Sequence, residues 1–480
     1  MHDAVIIGSG PNGLAAAITL ARQGLNVHVI ERSSTVGGNC RSEDTFDSGA
    51  IHDPAASVHP MGLASPFFRD FGLVERIPFV VPEVSYAHPL EGGDAALAFR
   101  SMAATCAGLG KSEGGRWEAT WDPLVQHADR FAQIALNALP PPLRSDLPSL
   151  ALAASVAGSG MIRLLSANTR SSALLSGVLA HAAAPFRSPA TLAVGMALVT
   201  FGHARGWGVP IGGSQKIVDV LVEDAMDLGV TFECDRDVSL PGELPDARAT
   251  LFATSPSTLV DVMTLSSSRY GRAINRFRYG PGACSIDLLL DGPIPWRAPG
   301  VADAPTVHIG GRAADIRAAG ASARTGRHAS APYVLVNQAS NLDPTRRSRV
   351  GLFPISAYCH VPNNSQQDRS RAMLQQIERY APGVRDRIVD IRVTVARARG
   401  VRNPVNVGGD INAGALSVRQ MIGRPVLRSQ PYRTPIPGVY LCSSSAAPGT
   451  GVHGMAGYRA ARVALRDVFG FRSAEIGGHV

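Results

Sequence analysis

The chain has 480 residues, 46 Lys+Arg against 38 Asp+Glu for a formal charge of +8, and 45% apolar against 18% charged residues. This is a globular composition, long enough for two or three domains and a large core without disulfide staples, and it excludes a disordered or fibrous chain. Only Lys111 and Lys216 are lysines, and the arginines that make up the rest of the basic residues are scattered with no accompanying reader motif, so no nucleic-acid partner is expected.

The six cysteines, Cys40, Cys106, Cys234, Cys284, Cys359 and Cys442, form neither a C-x-x-C pair nor a zinc-spaced cluster with histidine. Dithiol chemistry and a bound metal are therefore not expected, and the pattern suits a reducing compartment. No charged leader precedes Ala4, where structure is expected to begin, so the expected location is cytoplasmic. The charge-free apolar stretches Leu147–Ile162, Ser171–Phe186 and Ser188–Ala204 each fall short of about 18 residues. They read as a buried helical wall, or a surface able to touch a membrane, and not as spans.

In chain order, Ala4–Ile7 is a β-branched run suited to a buried parallel strand. Gly8-Ser9-Gly10-Pro11-Asn12-Gly13 follows and matches G-x-G-x-x-G. Leu14–Gln23 reads as a helix closed by Gly24, and Asn26–Ile30 as a second strand ending in Glu31. Strand, motif, helix, strand and acid in this order form a dinucleotide fingerprint. Gly8 permits the tight turn, Gly10 the approach of a pyrophosphate, and Gly13 the close packing of helix on strand. The helix N-terminus offers amides and a positive dipole end to phosphate, and Glu31 can accept ribose hydroxyls. Beyond Glu31-Arg32, the pair Gly37-Gly38 allows another close backbone approach, and Arg41 can neutralise phosphate.

A second signal lies at 404–465. Asn403-Pro404 leads to Gly408-Gly409-Asp410-Ile411-Asn412, then Arg424-Pro425, then Tyr432-Arg433-Thr434-Pro435-Ile436-Pro437-Gly438. Val439–Cys442 reads as a strand and Ser443–Thr450 as a small-residue loop, after which Gly451-Val452-His453-Gly454-Met455 opens a helix over Ala456–Val468. A helix N-terminus aimed at the pyrimidine end of a flavin would stabilise its reduced, anionic form.

The segment Glu31 to Ser42 resembles the E-x(5)-G-G-x-x-[RS] continuation of the FAD-binding amine oxidase and phytoene dehydrogenase superfamily. The C-terminal pattern, with Gly206–Gln215 and Cys359-His360-Val361-Pro362, resembles the phytoene-dehydrogenase-related oxidoreductases, some of which are named pyridine nucleotide-disulfide oxidoreductase domain-containing. The likeness spans nearly the whole chain; only about 90–180 is vague. It implies FAD as the cofactor and a contact set of Gly8, Gly10, Pro11, Asn12, Gly13, Glu31, Arg32, Gly37, Gly38 and Arg41, with Val238, Gly449, Gly451, Val452, His453 and Gly454. Two departures stand near the flavin: Ser443–Ser445 replaces a Gly-Ala pattern, and Ala447 stands where a histidine is expected. There is no second strand–GxGxxG–helix unit, so NAD(P)H is not expected as a bound second cofactor.

The expected fold is α/β. A discontinuous Rossmann-type FAD domain is built from 1–75, 208–262 and 404–480. A substrate domain of antiparallel sheet under a helical cap is built from 76–207 and 263–403, with strands at Ala283–Leu290, Tyr333–Asn337 and Leu352–Val361. Helices fill 118–205, and Pro140-Pro141-Pro142 reads as a turn. The cap's Ala, Leu, Val and Gly content favours an apolar or amphipathic small-molecule substrate. His181, inside Leu179-Ala180-His181-Ala182, His203, before Arg205-Gly206-Trp207, and Tyr358 are the candidate catalytic groups, since histidine is the natural base near neutral pH. The leading expectation is a dehydrogenase or desaturase. One alternative is an amine or amino-acid oxidase, a class that commonly uses a lysine near the flavin; here Lys111 falls in the Gly/Ser-rich loop Gly110–Gly115 and Lys216 at a helix start. Another is a non-catalytic lipid binder resembling the Rab GDP-dissociation inhibitors. The oligomeric state is not legible.

Overall fold

The run Ala4–Ile7 is enclosed on all sides, as a β-branched segment must be when helices cover both faces of a parallel strand. The computed structural model describes residues 1–138, 147–166 and 169–472. In chain order its strands are β1 (His2–Ile7), β2 (Val27–Ile30), β3 (Phe79–Val80), β4 (Val84–Pro89), β5 (Ala95–Phe99), β6 (Val209–Pro210), β7 (Thr231–Glu233), β8 (Ala247–Phe252), β9 (Gly282–Leu290), β10 (Thr306–Ile309), β11 (Val334–Asn337), β12 (Phe353–Val361), β13 (Ile388–Thr394) and β14 (Val439–Leu441).

The first sheet is parallel, in the order β14-β8-β1-β2-β7. Ala4 lies opposite Val27 on one side and Ala249 on the other. The chain thus leaves β1 toward β2 and later returns on its far side as β8. This reversal opens a crevice at the C-terminal end of β1, the place where such sheets bind ligands. The helices Pro11–Ala21 and Met455–Phe469 pack on one another over it, so close that a Cβ on Gly457 would fall 1.7 Å from the Asn12 carbonyl oxygen.

The second sheet runs β13-β9-β12-β11-β10-β4-β5. An antiparallel sheet was the expectation; it is mixed, because β10 pairs with β4 in parallel, Thr306 opposite Tyr86. The β4–β5 hairpin, whose second strand falls in the stretch with the least informative sequence, joins the sheet at the edge farthest from β9 and β13. Alternation along β9 splits its side chains between two faces. Cys284, Ile286, Leu288 and Leu290 enter a core shared with Met373 and Ile377 of the helix Ser370–Tyr380, while Ala283, Ser285 and Asp287 face a cavity.

The cap holds the helices Lys111–Val125, Ala128–Ala135, Arg170–Ala180 and Pro189–Arg205. Lys111 was expected in a loop; it begins a helix whose N-cap, Gly110, has φ +83°. Between them Leu147–Ser166 runs continuously through a π turn at Val156–Met161. This corrects the reading of the apolar stretches. Arg163 ended the charge-free count, but the helix passes through it, and Ser149–Ser166 is long and apolar enough to cross a membrane by length and composition, with only 28% of it buried. The expected turn at Pro140–Pro142 lies outside the described residues.

A buried charged knot ties the two sheets' surroundings together. Arg346, 2% exposed, bonds Asp53 Oδ2 at 2.5 Å, Asp343 Oδ2 at 3.1 Å and the Pro210 carbonyl at 2.9 Å. Asp53 Oδ1 accepts from Ser42 Oγ at 2.5 Å and the Ser214 amide at 3.0 Å, and Asp343 from the Gly212 amide at 2.8 Å. Burial alone would raise the Asp53 carboxyl; Arg346 and the Ser42 and Ser214 bonds outweigh it and hold it below the usual range.

Candidate functional site

The crevice is made of backbone. Gly8 has φ +101°, a conformation that side chains rarely adopt. A Cβ on Gly13 would lie 2.0 Å from the Gly8 carbonyl oxygen, and one on Gly38 would lie 3.1 Å from the Gly10 Cα, so the two glycine loops touch edge to edge. The first intrahelical bond of Pro11–Ala21 runs from the Leu14 amide to the Gly10 carbonyl at 3.0 Å, and the amides ahead of it are the helix's open donors. Glu31 directly follows β2 and is held in place: Oε2 accepts from the Ser9 amide at 3.0 Å and Ser9 Oγ at 2.6 Å, and Oε1 from the Ser33 amide at 2.9 Å. Ser9 therefore orients the acid, a role the motif's variable position does not advertise.

The C-terminal half closes the crevice. Asn39 bonds Asn406 Oδ1 at 2.9 Å and accepts from Asn403 Nδ2 at 2.9 Å, while Arg32 reaches the Arg402 carbonyl at 3.0 Å. Asp410 accepts from the amides of Gly280, Asn412 and Gly414, and Arg424 gathers the carbonyls of Asn412, Ala413 and Ser444. These bonds fix the 410–414 loop against the loop after β14.

Of the sequence-derived contact residues, Gly8, Gly10, Pro11, Asn12, Gly13, Glu31, Arg32, Gly38, Arg41, Val238, Gly451 and Val452 line the cavity. Four stand behind it. Gly37 is seated against Val218, and Gly454 against Phe67. Gly449 lies beside Arg424, and His453 is a structural cap: Nδ1 accepts from the Met455 amide at 3.1 Å and Nε2 faces the Gly449 carbonyl at 3.3 Å. Burial lowers its imidazole to about 4.

The crevice and the space that reaches under the cap form one continuous cavity of about 440 Å³. Val194, Leu198 and Trp207 give it apolar walls, and Ser285, Asp287, Ser356 and Tyr358 come from the mixed sheet. His181 is there. Its Nε2 lies 2.9 Å from His308 Nε2, its ring stands edge-on to Trp207, and its carbonyl accepts from Asn412 Nδ2 at 3.3 Å. Burial lowers His181 to about 3, with His360 adding to the effect, and pushes His308 well below the ordinary value, so both imidazoles are neutral near pH 7. Tyr358 also lines the cavity, and burial raises its phenol.

His203 does not reach the cavity. Its Nε2 accepts from Trp117 Nε1 at 3.0 Å and its Nδ1 faces the Arg100 carbonyl at 3.2 Å, so it is a satisfied core histidine. Neither lysine lines the cavity; Lys216 is exposed, 3.6 Å from Asp219. Sequence reasoning missed Asp287 and Arg399. The first is detectable as a charge inside an otherwise apolar strand, whereas Arg399, in Ala-Arg-Ala-Arg-Gly-Val-Arg, looks like any other arginine of this chain.

The site fits FAD. The glycine cradle leaves no room for side chains, Glu31 is fixed at the strand end, and the buried Asn12 Oδ1, which lines the crevice, has no partner among the described residues. The NAD(P)-binding Rossmann-like domain family matches residues 6–71. Pyridine nucleotide-disulfide oxidoreductase domain-containing protein 2 of Mus musculus is 26% identical over 557 aligned positions, covering 97% of this chain and 94% of that one. Among solved structures, wild-type putrescine oxidase bound to putrescine superimposes with a TM-score of 0.61 at 16% identity, over 98% of this chain and 99% of that one. The CLA-producing fatty acid isomerase of P. acnes does so with a TM-score of 0.58 at 13% identity, over 97% and 98%. The chain has the FAD-dependent oxidoreductase fold.

Proposed function

We propose that this protein is an FAD-dependent oxidoreductase of dehydrogenase or desaturase type acting on an apolar or amphipathic substrate. The observation that carries this reading is the continuity of the glycine-built crevice with a cavity walled by Val194, Leu198 and Trp207 and holding His181. Bound FAD supplies a two-electron acceptor for substrate hydride. The protein's part is to hold and to orient. The start of the helix Pro11–Ala21 receives phosphate, and Glu31 receives ribose hydroxyls. Val194, Leu198 and Trp207 keep water from the substrate. His181, neutral because it is desolvated, accepts a proton from the carbon neighbouring the one that loses hydride, and the Nε2–Nε2 contact with His308 holds its ring in place.

Putrescine oxidase is named for an amine and the isomerase for a fatty acid, so the fold serves both polarities. The lysine-poor cavity favours the apolar side. The test is direct. Purified protein reconstituted with FAD shows a bound-flavin spectrum, and anaerobic titration with lipid-like substrates, not amines, bleaches it. A protein that takes up no flavin overturns the reading.

A further inference from the structure

Arg346 and Arg424 are buried and Arg399 is half-buried with its Nε enclosed, and the three differ in what their guanidinium groups have to bond. Arg346 has two carboxylates, Asp53 and Asp343. Arg424 has the carbonyls of Asn412, Ala413, Gly414 and Ser444. Arg399, from the helix Ala396–Arg402, has one hydroxyl and one carbonyl: Nη2 donates to Ser285 Oγ at 2.6 Å and Nη1 to the Pro54 carbonyl at 3.3 Å. Its Nε is buried without a partner, and no carboxylate lies within ion-pair distance among the described residues. A guanidinium has five N–H donors, and burying them unpaired is costly. Unlike the other two, Arg399 lines the cavity.

Its surroundings point the same way. Ser285, Asp287 and Ser356 line the cavity with it, so a polar end faces the same space as Val194, Leu198 and Trp207. Asp287 is not a ready counter-ion. Its Oδ1 accepts from Ser356 Oγ at 2.8 Å, and burial raises its carboxyl despite Ser356, His52 and Arg399. Arg402, a cation on the same helix that also lines the cavity, is already paired with Glu43.

We propose that the cavity has an anion-receiving end centred on Arg399 and that the substrate is an apolar molecule bearing a carboxylate. This rests on the reading of the cavity as the substrate site. A carboxylate accepts two parallel N–H bonds from the planar guanidinium fork, a geometry that lysine cannot reproduce. The apolar remainder of the molecule then lies along Leu198 and Trp207.

The experiment titrates FAD-loaded wild type, Arg399→Gln and Arg399→Lys with decanoate, decan-1-ol and decylamine, which share a chain length and differ in charge. Binding is read from the flavin absorbance and by calorimetry, with flavin stoichiometry and melting temperature recorded for each variant. Wild type should bind decanoate about tenfold or more tightly than decan-1-ol, the scale of a charge-assisted hydrogen bond. Arg399→Gln should lose that preference while holding decan-1-ol as before, and Arg399→Lys should keep part of it. Equal binding of decanoate and decan-1-ol by wild type overturns the proposal, as does an Arg399→Gln protein with its preference intact. If Arg399→Gln loses its flavin and flavin-loaded Arg399→Lys keeps the full preference, Arg399 serves the cofactor and the proposal fails. Tightest binding of decylamine overturns it in favour of an amine substrate. Failure of all three to bind a flavin-loaded protein removes the apolar-cavity reading itself, and the proposal with it.

Discussion

The crevice at the end of β1 and the cavity beneath the cap meet a ligand by opposite means. In the crevice the working parts are amides, and what matters about Gly8, Gly10, Gly13 and Gly38 is the side chain they lack. In the cavity the working parts are side chains, His181, Asp287, Tyr358 and Arg399, each carried in by a different segment of the chain. A backbone-made site tolerates little change of residue but is written within a few positions of itself. A side-chain-made site is assembled only by the fold, and each member is replaceable on its own.

Substitutions in the two regions should therefore fail differently. The largest effect is expected in the crevice, where two glycines separate folding from binding. A Cβ at Gly13 meets the Gly8 carbonyl at 2.0 Å, so Gly13→Val should not accumulate as folded protein. A Cβ at Gly10 meets nothing nearer than the Gly38 Cα at 4.0 Å, so Gly10→Val should fold, melt near the wild-type temperature and yet bind no FAD by absorbance. Loss of folding in both would erase the distinction.

Next in size is the charged knot. Asp53→Asn leaves Arg346 under-compensated and should cost about 3–5 kcal/mol in chemical denaturation at pH 7. Because the folded Asp53 titrates below its unfolded value of about 3.9, its contribution is complete above that pH and is lost as pH falls through the folded value. Wild type and variant should converge in stability below about pH 4.

In the cavity, His181→Ala should slow substrate-driven flavin reduction by about 100-fold with normal flavin content. Since burial holds His181 at about 3, the wild-type rate should show no acid limb from this group near neutral pH. His203→Ala should do the reverse, leaving kinetics alone and costing about 1–3 kcal/mol, because Trp117 Nε1 loses its acceptor. That contribution in wild type is full above about pH 6.5 and is lost as pH falls toward about 4, the value to which burial lowers this imidazole. The smallest effect belongs to Lys216→Ala, which breaks one exposed pair with Asp219; stability should stay within about 0.5 kcal/mol and flavin reduction unchanged. A loss of activity there would restore the amine-oxidase reading.

The same contrast explains what could be read from the sequence. Gly8 to Glu31 specifies strand, turn, helix and acid through local spacing, and the elements appear in that order, although the helix begins at Pro11, three residues before the expected Leu14, because Pro11 and Asn12 already adopt helical backbone at its first turn. His181 was findable because an imidazole in an apolar run needs a partner, although His308, which supplies it, is 127 residues away. His203 satisfied the same criterion and proved structural: Trp117 is 86 residues distant, and nothing local distinguishes an acceptor from a base. His453 and Gly454 lie outside the lining of the cavity, packed against the Gly449 carbonyl and Phe67, because a loop's residues serve the packing behind it as well as the space in front. The parallel pairing of β10 with β4 joins segments more than 200 residues apart, and no short-range pattern records it.

The Asp53–Arg346–Asp343 knot has a consequence for how the molecule comes apart. Its members come from the first sixty residues, the return at 210–214 and the stretch after β11. No single cut in the chain can release the dinucleotide-binding half intact, because any fragment lacking one partner inherits a stranded charge. The segments that share the knot should therefore unfold together. Limited proteolysis should give survival or collapse of the whole, with no stable flavin-binding fragment between.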